Sequence, residues 1–323
     1  LPETAGGTPV VWTSSDESII TTTGIVNLPA TETQVTLTAT IGNTVREFTT
    51  TVLPRNIANN LLARYDFETN DTFAEGNTTY VTDLSGNGNH MAVMGSAKVD
   101  GTLNLSSNQP TTFSTNGYGL APKGLLKGLR SYTFIIDANL SNRGKMPRFY
   151  DFGANNGNSV FCRINSSFKY GAGEKLGGGT TLMVEAASAT QPLNETVTVA
   201  VTFDAATKTT TIYANGKQVA QGTNVTYEAW QAAPNGNDGR NYIGRTQWWD
   251  NNSDNGDVVG TLDNFRLYDI ALTAEEIANV TSDIKACTKP LTDSCALYSI
   301  NGIRLETEPS RGMFIKSGKK MIK

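Results

Sequence analysis

Two adjacent tryptophans, Trp248 and Trp249, run directly into Asp250-Asn251-Asn252. An indole face stacks on the C–H face of a sugar ring, and neighbouring amides and carboxylates bind its hydroxyls, so this segment has the composition of a saccharide platform. Successive residues of an extended chain point to opposite sides. We therefore assign Trp248 to packing and Trp249 to ligand contact, with Asn251 on the polar rim. Arg148-Phe149-Tyr150-Asp151 is a second polar and aromatic cluster, in which Arg148, Tyr150 and Asp151 are candidate ligand contacts. The alternative for it is a strand with Phe149 and Asp151 on one side, Tyr150 on the other, and Arg148 paired to a carboxylate. Trp230, after Tyr227-Glu228-Ala229, reads as a loop anchor, and Trp12 as a core residue.

Covalent and acid–base chemistry has less to work with. His90 is the only histidine, and it closes the turn-forming run Asp83-Leu84-Ser85-Gly86-Asn87-Gly88-Asn89-His90, which favours a structural role over a general base. Cys162, in Val160-Phe161-Cys162-Arg163-Ile164, has only that histidine as a possible partner and reads as a buried strand thiol. Gly177-Gly178-Gly179 precedes neither a Lys-Ser/Thr pair nor a helix, which excludes a phosphate cradle. The acidic run from Asp250 to Asp257 offers oxygen ligands to a hard cation but lacks the glutamate that closes an EF-hand loop. Cys287 and Cys295 are close enough in sequence to pair in a disulfide, a usage typical of oxidising compartments.

The elements that hold these residues must be strands. Of 323 residues only 17% are charged and 38% hydrophobic, and the chain is rich in Thr, Asn and Gly, with 31 glycines. Thr-rich alternation broken by Gly/Asn turns indicates an all-β protein. A formal charge of −4 with no basic stripe argues against nucleic acid and anionic membrane as partners, and no apolar run is long enough for a transmembrane helix.

Within residues 1–55, Val10, Trp12, Ile19, Ile25, Val35, Leu37, Ala39, Ile41, Val45, Phe48 and Val52 mark four or five short strands of a small sandwich. Residues 56–284 carry about a dozen strands, with clear runs at 132–138, 149–152, 159–164, 197–203 and 209–213, and so one large sandwich. One helix start is legible: Thr273 can cap and Glu276 completes a capping box. Residues 285–323 form a short β tail, too small to fold alone and expected to lean on the larger domain.

Several segments carry a family resemblance. The Trp12-Thr13-Ser14-Ser15-Asp16-Glu17-Ser18 run, Thr23-Gly24-Ile25-Val26 and the closing Thr51-Val52-Leu53-Pro54 resemble atrophied bacterial immunoglobulin-like domains, with a first strand expected to be missing. The run 83–90, the strand Val197–Phe203 leading to Asn215-Gly216, Asn241-Tyr242-Ile243-Gly244-Arg245, and Gly260–Tyr268 followed by Ala271–Ile277 resemble, in order and spacing, the laminin-G-like, concanavalin A-type jelly roll. The tail resembles the C-terminal β tails of secreted Bacteroidetes proteins.

The jelly-roll resemblance implies calcium near the junction of first and last strands, with Asp66, Asp83 and Asp263 as ligands and Asp263 foremost. A turn cap at Asp83 and solvent-facing Asp66 and Asp263 are the alternative. It also implies a secreted, cell-surface or periplasmic carbohydrate-binding module whose partner is a glycan or polysaccharide, within a polysaccharide-utilisation system and alongside catalytic domains of a larger protein. The Glu-x-Asp-x-x-Glu signature of retaining glycosidases on this fold does not occur, and Phe168–Gly173 lacks the matching His-bearing strand of a lyase. A hydrolase or lyase whose acid and base come from distant strands, and an adhesion or scaffold module, stay open as alternatives.

Overall fold

The computed structural model describes residues 1–29, 31–109, 115–142, 146–177, 179–247 and 256–287, and in the tail 297–299, 304–305, 313–316 and 319–322. Two compact units partition the chain at 277/278. The second contains a four-stranded antiparallel sheet of Leu297–Ser299, Arg304–Leu305, Met313–Lys316 and Lys319–Ile322.

The N-terminal part of the first unit is a meander of Val11–Ser14, Thr33–Ile41 and Thr44–Val52, accompanied by the hairpin Thr4–Ala5/Thr8–Pro9. Alternation on Thr33–Ile41 buries Val35 and Leu37, which join Ile20 and Val52 in a core of four buried residues flanked by Trp12 and Ile19. This core is smaller than the sequence pattern implies, because Ile25, Val45 and Phe48 are each more than half exposed. Val45 and Phe48 are an odd number of positions apart on one strand, so they cannot face the same side. Phe48 reaches the edge of the cluster, with its ring 5.8 Å from that of Trp12.

From Leu61 onward two antiparallel sheets face each other. One is ordered Lys98–Val99, Leu103–Asn104, Gly260–Tyr268, Tyr132–Leu140, Thr196–Asp204, Thr209–Ala214, Lys217–Gly222, and Leu61–Tyr65 also pairs with Gly260–Tyr268. The other has nine strands: Gly179–Thr190, Lys169–Leu176, Asn158–Ile164, Arg148–Asn155, Asn241–Ile243, Tyr118–Ala121, Met91–Met94, Thr78–Val81 and Thr72–Glu75. All the strand runs expected from sequence lie within these strands. Between the sheets, Phe134 stacks on Tyr150 at 3.9 Å and meets Phe152 and Phe265. Each such aromatic contributes about 1.5–3 kcal/mol by leaving water, and its truncation would cost more because a cavity remains.

The capping box forms as expected at the start of the helix Ala274–Cys287: Glu276 N–H donates to Thr273 Oγ1 (3.2 Å) and Thr273 N–H to Glu276 Oε2 (2.8 Å). Glu276 also accepts Arg55 Nε at 3.0 Å, so the segment after the small sandwich is tied to this helix. Among the described residues no helix is long and apolar enough to cross a membrane.

Candidate functional site

The outer face of the nine-stranded sheet is built by register. Phe73 pairs with Tyr80, Tyr80 with Ala92, Ala92 with Leu120, Leu120 with Tyr242, Tyr242 with Asp151, Asp151 with Phe161, and Phe161 with Gly173. Directly opposed residues share a face, so these eight positions form one row perpendicular to the strands. Seven steps of about 4.8 Å give the row a length of about 34 Å. The alternate residues Val81, Met91, Ile243, Phe152, Val160 and Ala172 point the other way, into the core.

The row divides into an open and a closed half. At one end Phe73 is 38% exposed, stacked on Tyr80 at 5.4 Å and met edge-on by His90. Tyr80 and Leu120 are half-buried, while Tyr242 is nearly buried and meets Tyr118 edge-on. Further along, Asp151 and Phe161 are each 1% exposed. In this closed half Arg148 lies 3.5 Å above the Phe161 ring, and its Nη1 is 3.6 Å from Asp151. Gln247 seals the carboxylate, with its N–H donating to Asp151 Oδ2 at 3.1 Å and its side chain donating to Asp151 O at 2.9 Å. Burial pushes the Asp151 carboxyl up, an effect opposed by Arg148. Burial likewise lowers the Arg148 guanidinium to about 10, and it lowers Arg163 and Lys175 on the same face.

The structure buries three of the residues expected as ligand contacts. Tyr150 is a core residue with its face on Phe134, leaving no ring surface for a sugar. Arg148 and Asp151 are on the outer face but buried, engaged with each other and with Phe161. An irregularity at Phe149 puts them there together: Arg148 pairs with Arg163 and Tyr150 with Cys162, so one residue is skipped and positions three apart come to one side. Trp249 and Asn251 lie outside the described residues, as do Trp248, Asp250 and the Cys295 half of the expected disulfide. Cys162 is buried, its thiol pushed up to about 12 by desolvation, as expected of an inert core cysteine.

Each aspartate named for calcium is engaged with protein partners in this structure. Asp83 caps its turn and the adjoining strand, accepting N–H groups from Arg64, Ser85 and Asn89 and the Ser85 hydroxyl. His90 Nδ1 in turn accepts the Asp83 N–H at 3.0 Å, which makes the histidine part of the turn. Asp66 is ion-paired with Arg64 and lies 3.9 Å from Arg266. Asp263 accepts from Asn264 N–H and Nδ2, and burial reinforced by Asp137, Asp66 and Glu68 raises its carboxyl to about 7. Among the described residues no three His, Cys, Asp or Glu side chains converge in a metal-binding group.

The aromatic row itself was not read from the sequence. Tyr80 and Tyr242 each alternate with core residues, which marks them as outward-facing, but the pairing that lines them up joins strands far apart in the chain.

A family model described as the concanavalin A-like lectin/glucanases superfamily matches residues 113–278. The chain belongs to this superfamily. A second model, the atrophied bacterial Ig domain, matches residues 1–55. No curated protein matches the sequence. Among solved structures, the chain is similar to domain 4 of AbnA, a GH43 extracellular arabinanase from Geobacillus stearothermophilus solved in complex with arabinotriose. It is 16% identical, the match covers 68% of this chain and 97% of that one, and the TM-score is 0.44. Trypanosoma rangeli sialidase is 11% identical, with 78% and 44% covered and a TM-score of 0.48. The botulinum neurotoxin serotype C1 binding domain is 14% identical, with 77% and 56% covered and a TM-score of 0.47. Both enzymes and binding domains therefore stand among the structures similar to this chain.

Proposed function

We propose that the protein is a carbohydrate-binding module that holds a polysaccharide chain along the outer face of its nine-stranded sheet, as part of a secreted glycan-degrading system. The observation that supports this reading is the cross-strand row. Its open half presents the exposed Phe73 ring and the half-buried Tyr80 and Leu120 side chains, with Ala92 and Tyr242 buried between and beside them, a surface for stacking on a sugar ring. A shallow surface with few aromatic contacts gives modest affinity, about 4 to 6 kcal/mol.

The test is binding to a panel of immobilised polysaccharides with product analysis on the same samples. Phe73→Ala and Tyr80→Ala should each weaken retention by about threefold to tenfold, the equivalent of about 0.5–1.5 kcal/mol per aromatic contact. Unchanged retention in both variants would place the glycan elsewhere.

One observation favours a hydrolase as the second reading. On the other sheet, Asn264 Nδ2 donates to both Asp137 Oδ2 (3.0 Å) and Asp263 Oδ2 (3.1 Å), and Asp263 is held at about 7. A carboxyl group protonated near neutrality beside a second carboxyl group is what glycoside cleavage requires. Oligosaccharide release by the native protein, abolished in Asp263→Asn, would move the assignment there.

A further inference from the structure

A second aromatic surface stands away from the sheet face. The 3₁₀ turn Ala229–Ala232 buries Ala229 and Ala232 in the core between the sheets and leaves Trp230 half-buried at the rim. Trp230 lines an open cleft of about 320 Å³ together with Gly128, Arg130 and Glu228. Its position is fixed at several points. Trp230 N–H donates to Leu129 O at 3.0 Å and the indole Nε1–H to Glu228 Oε2 at 2.6 Å. A reciprocal capping box between Glu228 and Gln231 holds the turn itself. Arg130 donates Nε and Nη2 to the two oxygens of Glu228, both at 3.0 Å, while its side chain stays 72% exposed.

We propose that this cleft is a saccharide subsite distinct from the sheet face, taking one uncharged pyranose ring. The cleft volume is at the lower end of small-ligand sites, which suits a single ring. The indole edge is engaged by Glu228, so what Trp230 presents is its face, the part of the side chain that stacks on sugar C–H groups. Beside it the exposed Arg130 guanidinium is the donor for a ring hydroxyl, and its charge is balanced by Glu228, whose two oxygens are engaged by Arg130 and the indole N–H. A guanidinium whose charge Glu228 already neutralises favours a hydroxylated ring over a uronate, whose carboxylate would lie beside that of Glu228. Gly128, at φ +71°, has nothing within 4 Å of where a Cβ would stand, so the cleft floor is open. The fixed geometry means little ordering cost on binding.

This inference rests on the carbohydrate-binding reading, and the experiment separates the two. The full chain, ¹⁵N-labelled, is titrated with cellohexaose, xylohexaose, maltohexaose and hexagalacturonate, following the Trp230 indole N–H resonance, identified by its loss in Trp230→Phe. At least one neutral hexasaccharide should shift that resonance, and the shift should persist in Tyr80→Ala, which disables the sheet face. Trp230→Ala should weaken binding of that sugar about threefold to tenfold in calorimetry, with Arg130→Gln weakening it while leaving the melting temperature within a degree or two. Hexasaccharide binding that leaves the Trp230 resonance unmoved would overturn the subsite while sparing the sheet-face reading. A larger, salt-sensitive shift with hexagalacturonate would overturn its neutral preference. Absence of any binding to the four probes would count against both.

Discussion

Replacing Glu174 by Gln isolates one buried charge and gives a signed prediction. Glu174 pairs with Val160 on the strand Lys169–Leu176, a position that faces the interior, and Oε2 has no hydrogen-bond partner among the described residues. The hydroxyls of Tyr132 and Tyr227, electrostatically coupled to it, are likewise without a partner there. Desolvation raises the Glu174 carboxyl from 4.5 to about 7. Because the folded state prefers the protonated form, the stabilisation is complete below about pH 4.5 and is lost as pH rises through 7. For a fully shielded group this would be about 3 kcal/mol. Glu174 is partly open to solvent, and screening reduces the effect to about 1–2 kcal/mol. Gln is neutral at every pH and occupies nearly the same volume. Glu174→Gln should therefore melt about 3–6 °C above the native protein at pH 8, coincide with it near pH 4.5, and show a flatter pH profile between. The assay is calorimetric melting across pH 4–8.5. A lower melting temperature for the variant at pH 8, or an unchanged slope, would refute the argument that an unpaired interior carboxylate is what the fold tolerates at neutral pH.

Asp263→Asn is an independent case of the same sign: with the native carboxyl raised to about 7 by burial and by Asp137, Asp66 and Glu68, stability falls as pH rises through 7, and the variant should gain at pH 8 relative to the native chain. Thr273→Ala removes the acceptor for Glu276 N–H and should cost about 1 kcal/mol, read as a fall of about 2–4 °C that Thr273→Ser restores. Trp249→Ala tests the platform read from the sequence; retention on the polysaccharide panel equal to that of the native chain would remove Trp249 from the ligand site.

Fold class, strand positions and the helix cap were legible because each depends on neighbours in the chain. Period-two alternation at Val197–Phe203 places Val199 and Val201 inward whatever the strand pairs with, and the Thr273/Glu276 box closes over three residues. The same locality explains why the burial of Tyr150 was not legible. Alternation correctly sets it opposite Asp151, but nothing in Arg148-Phe149-Tyr150-Asp151 shows which of the two sides is the core, nor the irregularity at Phe149 that brings Arg148 and Asp151 to one face. In the small sandwich, Phe48 was expected inside because it is apolar, yet an apolar residue on an edge strand is covered only if something lies beyond it.

The sequence by itself determined that this chain is all-β, where its strands and turns lie, that Cys162 is core, and that His90 closes a turn, since propensity, alternation and short-range hydrogen bonding act within a few residues. Only the tertiary structure decided that Phe73, Tyr80, Leu120 and Tyr242 stand in one row, and that Trp230 lies beside Arg130 and Glu228. Strand register joins Leu120 to Tyr242, and loop packing joins Arg130 to Glu228, across about a hundred positions or more of chain, and such long-range pairing leaves no trace in the local pattern from which a sequence is read.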